Sequence, residues 1–204
     1  RVQGWGGPQL LASYEAERRP IAFRNTGAAK RMSLKSGDVP VGTHICDSGP
    51  EGDADRGRAA AVISTFGNQY ASIGVQLGAR YDQSPVICAA SGHIEDDPEV
   101  YVPTSAPGGR APHGWLDGHV SLFDRFGPGF TLLALDPQAE TGAFVAAASA
   151  RGIPLRLVTV DHPALRDLYG CDLALIRPDQ HVAWRGSAAG AAEAEGILAK
   201  VTGW

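Results

Sequence analysis

Three cysteines, six histidines and a scatter of carboxylates are the groups through which this 204-residue chain could do nucleophilic, redox or metal chemistry. Cys46, Cys88 and Cys171 stand far apart and form no Cys-x-x-Cys pair, so no dithiol is set up to cycle with a disulfide. Their odd, sparse count argues against a disulfide framework and suits a reducing cytoplasm. Each is read as a small buried apolar residue or a silent surface thiol. His113, Asp117 and His119 come nearest to a metal-ligand cluster, but their spacing matches no familiar pattern and Gly114 and Gly118 make the segment loop-like. Cys88, His93 and Glu95 fare no better. Ser121, His162 and Asp136 supply the residue types of a hydrolase triad, yet no Gly-x-Ser-x-Gly elbow accompanies them and the triad is rejected. Gly4-Trp5-Gly6-Gly7 and Gly108-Gly109 lack the spacing and the strand-to-helix setting of a dinucleotide loop. The segment is expected to hold no metal and no cofactor, and to catalyse nothing by itself.

The elements that would position these residues fall into two stretches. Residues 8 to about 34 read as helix, with Leu10, Leu11 and Tyr14 toward a core and charged Glu15, Arg18 and Arg19 outside. Pro8 suits the first turn, and Pro20 predicts two helical pieces or one bent helix. Residues 37–57 read as loop, a second helix starts near Asp55, and Ile73-Gly74-Val75-Gln76-Leu77 looks β-like. A strand is predicted over 84–89. Residues 92–114 are rich in proline and glycine, and the boundary between two units is placed there: 1–92 and 93–204.

From Trp115 the signal sharpens. Strands are predicted over 131–136 and 155–160, with an alanine-rich helix between them that Gly152 stops. A short helix over 162–169, opened by Asp161 as cap, ends at Gly170. Residues 172–176 and 181–184 flank Arg177-Pro178-Asp179-Gln180 as a hairpin, and a helix over 188–201 closes the chain. Strand–helix–strand–helix–strand–strand–helix is the thioredoxin-like order. Leu168-Tyr169-Gly170-Cys171-Asp172 resembles that fold locally, while Asp136-Pro137-Gln138-Ala139 stands where thioredoxins carry their cysteines. The fold class is therefore α/β: a thioredoxin-like domain without its dithiol, preceded by a mainly helical tail.

Bulk properties narrow the partners. The formal net charge is −4 and basic residues form no long tract, which argues against nucleic acid. No apolar run approaches the roughly 20 residues of a membrane span. The opening Arg1-Val2-Gln3-Gly4-Trp5 carries no secretory-type apolar stretch and reads as a chain entered midway. A cytoplasmic location is expected.

Five stretches carry a resemblance. The opening Gly4-Trp5-Gly6-Gly7-Pro8-Gln9-Leu10-Leu11-Ala12-Ser13-Tyr14-Glu15-Ala16-Glu17-Arg18-Arg19-Pro20 resembles G-W-x-G-x-x-L-L-x-S-Y-E-x-E-R-R-P of FAD-dependent aromatic-ring hydroxylases. Four later blocks follow in the family's order. Residues 76–85 resemble Q-L-G-x-x-Y-x-x-S-P, and residues 107–116 resemble P-G-x-R-A-P-H-x-W-L. Residues 122–133 are similar to L-x-D-x-F-G-x-G-F-x-L-L, and residues 176–186 to the closing R-P-D-x-H-V-A-W-R. The resemblance implies the C-terminal part of an enzyme that hydroxylates a phenolic or polyketide ring, using FAD, NAD(P)H and oxygen. Residues 1–92 would be the tail of its FAD and substrate domain, and residues 93–204 a degenerate thioredoxin-like domain. The implied partners are the upstream FAD-binding domain and a second subunit in a homodimer, with packing and subunit contact as this segment's role. The alternative is a stand-alone, non-catalytic thioredoxin-like interaction module.

Two residues are candidates for domain docking. Arg110 offers a planar five-donor group to a carboxylate or to carbonyls of the flavin domain, and His113 lies in the same Pro-Gly-x-Arg-Ala-Pro-His loop. The competing reading ties that loop to its own domain. The helix bearing Tyr14, Glu15, Arg18 and Arg19 likewise either braces the flavin domain or presents a solvated charged face.

Overall fold

The computed structural model describes residues 3–67, 72–89, 94–95 and 97–204. They form two compact units, each discontinuous in sequence. The first gathers residues 1–20, 79–95 and 102–204, and the second residues 21–78 and 96–101. The expected boundary at 92/93 falls on residues 90–93, outside the described residues, as does His93.

The first unit is built on a four-stranded sheet. Its strands are β3 (Phe130–Ala134), β4 (Leu155–Thr159), β5 (Leu173–Ile176) and β6 (Val182–Gly186), in the order β4-β3-β5-β6. β3 and β4 are parallel, joined through helix α4 (Gly142–Ala150), and β5 runs antiparallel to both β3 and β6. This is the thioredoxin-like arrangement that the order of elements predicts. Every residue of β3 and β5 is buried, as expected for central strands covered on both faces. Alternation then assigns the layers. Leu133, Leu135, Ala174 and Ile176 pack with Leu165 and Tyr169 of α5 (Pro163–Tyr169). On the other face, α4 packs against α6 (Ala191–Val201), and Phe144 meets Trp184 at 5.0 Å between ring centres. A two-stranded hairpin, β1 (Trp115–Leu116) with β2 (Val120–Ser121), precedes the sheet. A 3-10 turn over Leu122–Arg125 follows it.

The ends of α5 follow from local chemistry, with one correction. His162, not Asp161, is the N-cap, and its Nδ1 accepts from the Leu165 N–H at 3.3 Å. Pro163 fills the first turn, where a missing N–H costs nothing. Gly170 closes the helix in the left-handed region at φ 59°.

Residues 84–89 are turn and loop rather than a strand. Pro85 has no N–H to offer a ladder, and Val86 and Ile87 bury themselves with only the Cys88 N–H reaching the sheet, at Ala183 O (2.9 Å). The apolar run reports burial here, not pairing.

In the second unit, α1 (Gln9–Gly37) enters from the first as one helix with Pro20 inside it. The chain then passes to α2 (Pro50–Ile63), whose start five residues before Asp55 is set by Pro50 in the first turn. The β-like pentapeptide is instead a short helix, α3 (Ile73–Leu77). Its carbonyls find a donor in Arg24, which reaches Gly74 O at 2.8 Å and Val75 O at 3.2 Å, and Pro98 O accepts from Val75 N–H at 2.9 Å. A single turn of helix is stable only with such outside partners. Among the described residues no helix is long and apolar enough to cross a membrane.

The face of α1 toward the first unit's core also differs from expectation. Leu11 and Tyr14 are 71% and 69% exposed, whereas Ser13 and Glu17 are buried. The reason lies in what Glu17 meets.

Candidate functional site

Glu17 is 6% exposed, and its carboxylate accepts from both terminal nitrogens of Arg177 at 2.5 and 3.0 Å. Ser84 donates to the same carboxylate at 2.6 Å. Arg177, on the turn between β5 and β6, also reaches Asp179 Oδ2 at 2.7 Å and lies over the Tyr81 ring at 5.5 Å. Tyr81 stacks on His181 at 4.4 Å and accepts from Arg18 at 3.1 Å. Three separate segments thus meet in one fully engaged polar cluster: the first turns of α1, the loop 81–84 and the β5–β6 turn. A bidentate arginine–carboxylate pair fixes orientation as well as distance.

Burial disfavours the charged form of Asp179, yet hydrogen bonding from His181 and the Arg177 charge prevail and hold its carboxyl at about 2, below the usual 3.8. A depressed carboxyl contributes stability above its unfolded value and loses it as pH falls through the folded one. The chain should therefore lose stability between about pH 4 and pH 2, and Asp179→Asn should flatten that part of the profile. Urea denaturation across this window measures it; an unchanged slope in the variant would show that Asp179 is not held this way.

The sequence-based candidates are dispersed. Arg110 donates to Gln180 Oε1 at 3.2 Å and lies over Phe123 at 5.1 Å. Its loop is sewn to β6 through Gly108 N–H to Val182 O (2.8 Å), Val182 N–H to Gly109 O (2.9 Å) and Ala111 N–H to Gln180 O (2.8 Å). His113 is exposed, shares a 2.9 Å hydrogen bond with Ser121 and meets Trp115 and Phe123 edge-on. Ser121, His162 and Asp136 go to three different partners: His113, the Leu165 N–H and Arg166. Among the described residues no three His, Cys, Asp or Glu are grouped as a metal site.

Beyond β3, where thioredoxins carry their dithiol, Arg166 bridges Asp136 at 2.8 Å and Asp172 at 2.7 Å. Burial pushes the neighbouring Cys171 thiol up to about 11, against the pull of Arg185, and burial also raises Cys88. Cys46 is exposed. Iodoacetamide at pH 8 should therefore modify Cys46 first and leave Cys171 protected until the chain unfolds; peptide mass mapping reads the order. Early labelling of Cys171 would contradict its burial.

The cluster around Glu17 was missed because a charged helix face reads as solvated. A signal did exist: Glu17, Tyr81, Ser84, Arg177, Asp179 and His181 all stand at fixed letters of the hydroxylase-like blocks. Three of those blocks meet here.

Comparison with known proteins follows the same lines. The family model described as "Aromatic-ring hydroxylase, C-terminal" matches residues 104–204. The chain is 34% identical to the FAD-dependent monooxygenase opdD of Penicillium oxalicum, over 99% of this chain and 41% of that protein. It is 27% identical to a phenol 2-monooxygenase of a Pseudomonas species, over 90% of this chain and 37% of the relative. Among solved structures, the rebeccamycin biosynthetic enzyme RebC with reduced flavin superposes with a TM-score of 0.87 at 35% identity, covering 99% of this chain and 38% of RebC. The flavin-dependent monooxygenase PieE, in complex with FAD and substrate, gives 0.81 at 28% identity, over 98% of this chain and 41% of PieE. The chain thus spans about two fifths of the length of the relatives it matches. Residues 104–204 belong to the aromatic-ring hydroxylase C-terminal family, and the chain as a whole corresponds to the C-terminal part of FAD-dependent monooxygenases.

Proposed function

We propose that this chain is the C-terminal part of an FAD-dependent monooxygenase that hydroxylates a phenolic or polyketide aromatic ring with NAD(P)H and oxygen. The observation that carries the reading is the match of 99% of the chain to flavin monooxygenases, in sequence and in fold. Within that enzyme residues 1–92 are the tail of the FAD and substrate domain, and residues 93–204 serve packing and subunit contact. FAD, when bound to the upstream part, supplies the oxygen-activating chemistry; this segment's residues position structure. Leu11 and Tyr14, large and exposed on α1, suit a face that packs against the upstream domain. A homodimer and a cytoplasmic setting belong to the same proposal.

Docking to the upstream domain is assigned to Arg110 and His113 of the same loop. In the extended enzyme His113→Ala should weaken flavin retention or subunit assembly; unchanged flavin content, stability and assembly would confine the loop to its own unit. The visible absorption spectrum tests the larger reading. This chain alone should be colourless, and the extended protein should carry flavin and oxidise NAD(P)H when given a phenolic substrate. A stoichiometric flavin band from this chain alone, or no such oxidation by the extended protein, would overturn it.

A further inference from the structure

The first unit contains a groove that nothing above employs. β4 is an edge strand whose one neighbour in the sheet is β3. Along it runs a groove of about 360 Å³, lined by the β1–β2 turn, the 3-10 turn, β4 and the entry to α5. Its charged and titratable members are Asp117, Arg125, Arg156, Asp161 and His162.

Their bonding state sets them apart. Arg80, Arg110, Arg166, Arg177 and Arg185 of the same unit each hold a carboxylate, carbonyl, amide or hydroxyl. Among the described residues the guanidinium groups of Arg125 and Arg156 hold none, and neither does that of Arg151, which does not line the groove. The Arg156 stem runs past Gly127, where an added Cβ would meet its Cδ at 3.2 Å. That contact lies two residues from Arg125, and both arginines line the groove. Asp117 and Asp161 line the groove too, yet neither forms an ion pair with these arginines. His162 accepts at Nδ1 from the Leu165 N–H, which in the neutral ring leaves the proton on Nε2 as a donor.

We propose that this groove binds a phosphate monoester attached to a hydroxylated ring. Two guanidinium groups are the donors of choice for a phosphate. The carboxylates of Asp117 and Asp161 accept hydrogen bonds from ring hydroxyls, and His162 Nε2–H donates to a ring or ester oxygen. The apolar lining from Leu116 and Leu157 covers the ring's carbon face. This ligand class rests on the groove residues alone, not on the activity proposed for the parent. Two sources share the chemistry: a free sugar phosphate, and the phosphorylated ribose of an adenine nucleotide.

The test is isothermal titration of the 204-residue chain at low salt, with inorganic phosphate, ribose 5-phosphate and adenosine 2′-monophosphate as probes. Ribose 5-phosphate should bind with a Kd on the order of 0.1–1 mM, modest because the groove is open and small polar ligands bind weakly. Arg125→Gln and Arg156→Gln, checked for retained fold by circular dichroism, should each weaken it about tenfold, the worth of one charge-assisted contact. Asp161→Asn should weaken ribose 5-phosphate while leaving inorganic phosphate unchanged. Tighter binding of adenosine 2′-monophosphate than of ribose 5-phosphate would identify the nucleotide source, and the reverse order the sugar phosphate. Absence of saturable binding, or equal binding by folded Arg125→Gln and Arg156→Gln variants, would overturn the proposal.

Discussion

Replacing Arg177 by alanine is expected to destabilise the chain by about 3–5 kcal/mol, the usual cost of stranding one partner of a buried ion pair. Among the described residues the loss would leave Glu17, 6% exposed, with Ser84 as its remaining side-chain donor, and would take from Asp179 the cation that helps keep it ionised. Tyr81 would also lose the guanidinium over its ring. Glu17→Ala should cost less, because Arg177 keeps Asp179 at 2.7 Å. The Arg166 bridge provides the control. Its side chain is 47% exposed, and Arg166→Ala should cost far less, as exposed pairs generally do. Urea denaturation of the three variants ranks them. If Arg177→Ala falls no further than Arg166→Ala, the cluster around Glu17 is not a structural tie. A double change, Glu17→Leu with Arg177→Met, should recover part of the loss, since an apolar pair of similar volume replaces an ion pair at little net cost. Recovery would also show that the two residues act as a coupled unit.

The contrast between those two arginines marks what could be read from residues alone. The sheet from β3 onward was legible because its strands are short apolar runs and its helices stop at Gly152 and Gly170, both with φ above zero. Where an apolar run was too short to show a period, reading failed in both directions. Residues 73–77 became helix through Arg24, a residue about fifty positions away, and residues 84–89 were buried without pairing. Charge was the second source of error. A glutamate between arginines on a helix looks solvated until Arg177, 160 residues later, arrives beside it. The candidate site was legible only as letters of a family pattern; the physical reason for those letters is a long-range contact that no local rule contains. Leu11 and Tyr14 made the opposite error, being apolar and yet exposed.

The opening Gly-Trp-x-Gly block acquires its reason from the far end of the chain, and with it the second large expected effect. Gly7 N–H donates to Thr202 O at 2.8 Å, Gln9 N–H to Gly203 O at 3.1 Å, and the Trp204 indole N–H to Trp5 O at 2.9 Å. The two backbones cross with no room for a side chain. A Cβ on Gly7 would stand 2.2 Å from Gly203 O, and one on Gly203 would stand 2.4 Å from Leu10 N. Gly203 is also left-handed, at φ 86°, which costs a non-glycine residue about 1–2 kcal/mol. Forcing the two backbones apart adds a strain of about 1–3 kcal/mol. Gly203→Ala should therefore destabilise the first unit by about 2–5 kcal/mol. Gly118 separates the two contributions: it is left-handed at φ 79° with nothing within 4 Å of its Cβ position, so Gly118→Ala should show the backbone term alone, about 1–2 kcal/mol. Hydrogen exchange locates the damage. In Gly203→Ala the amides of Gly7 and Gln9 should exchange freely while those of Leu132 and Leu175 in the central strands keep their protection. Equal costs for the two variants, with Gly7 and Gln9 still protected, would mean that the crossing does not depend on its glycines, and the Gly-Trp-x-Gly block would need another reason.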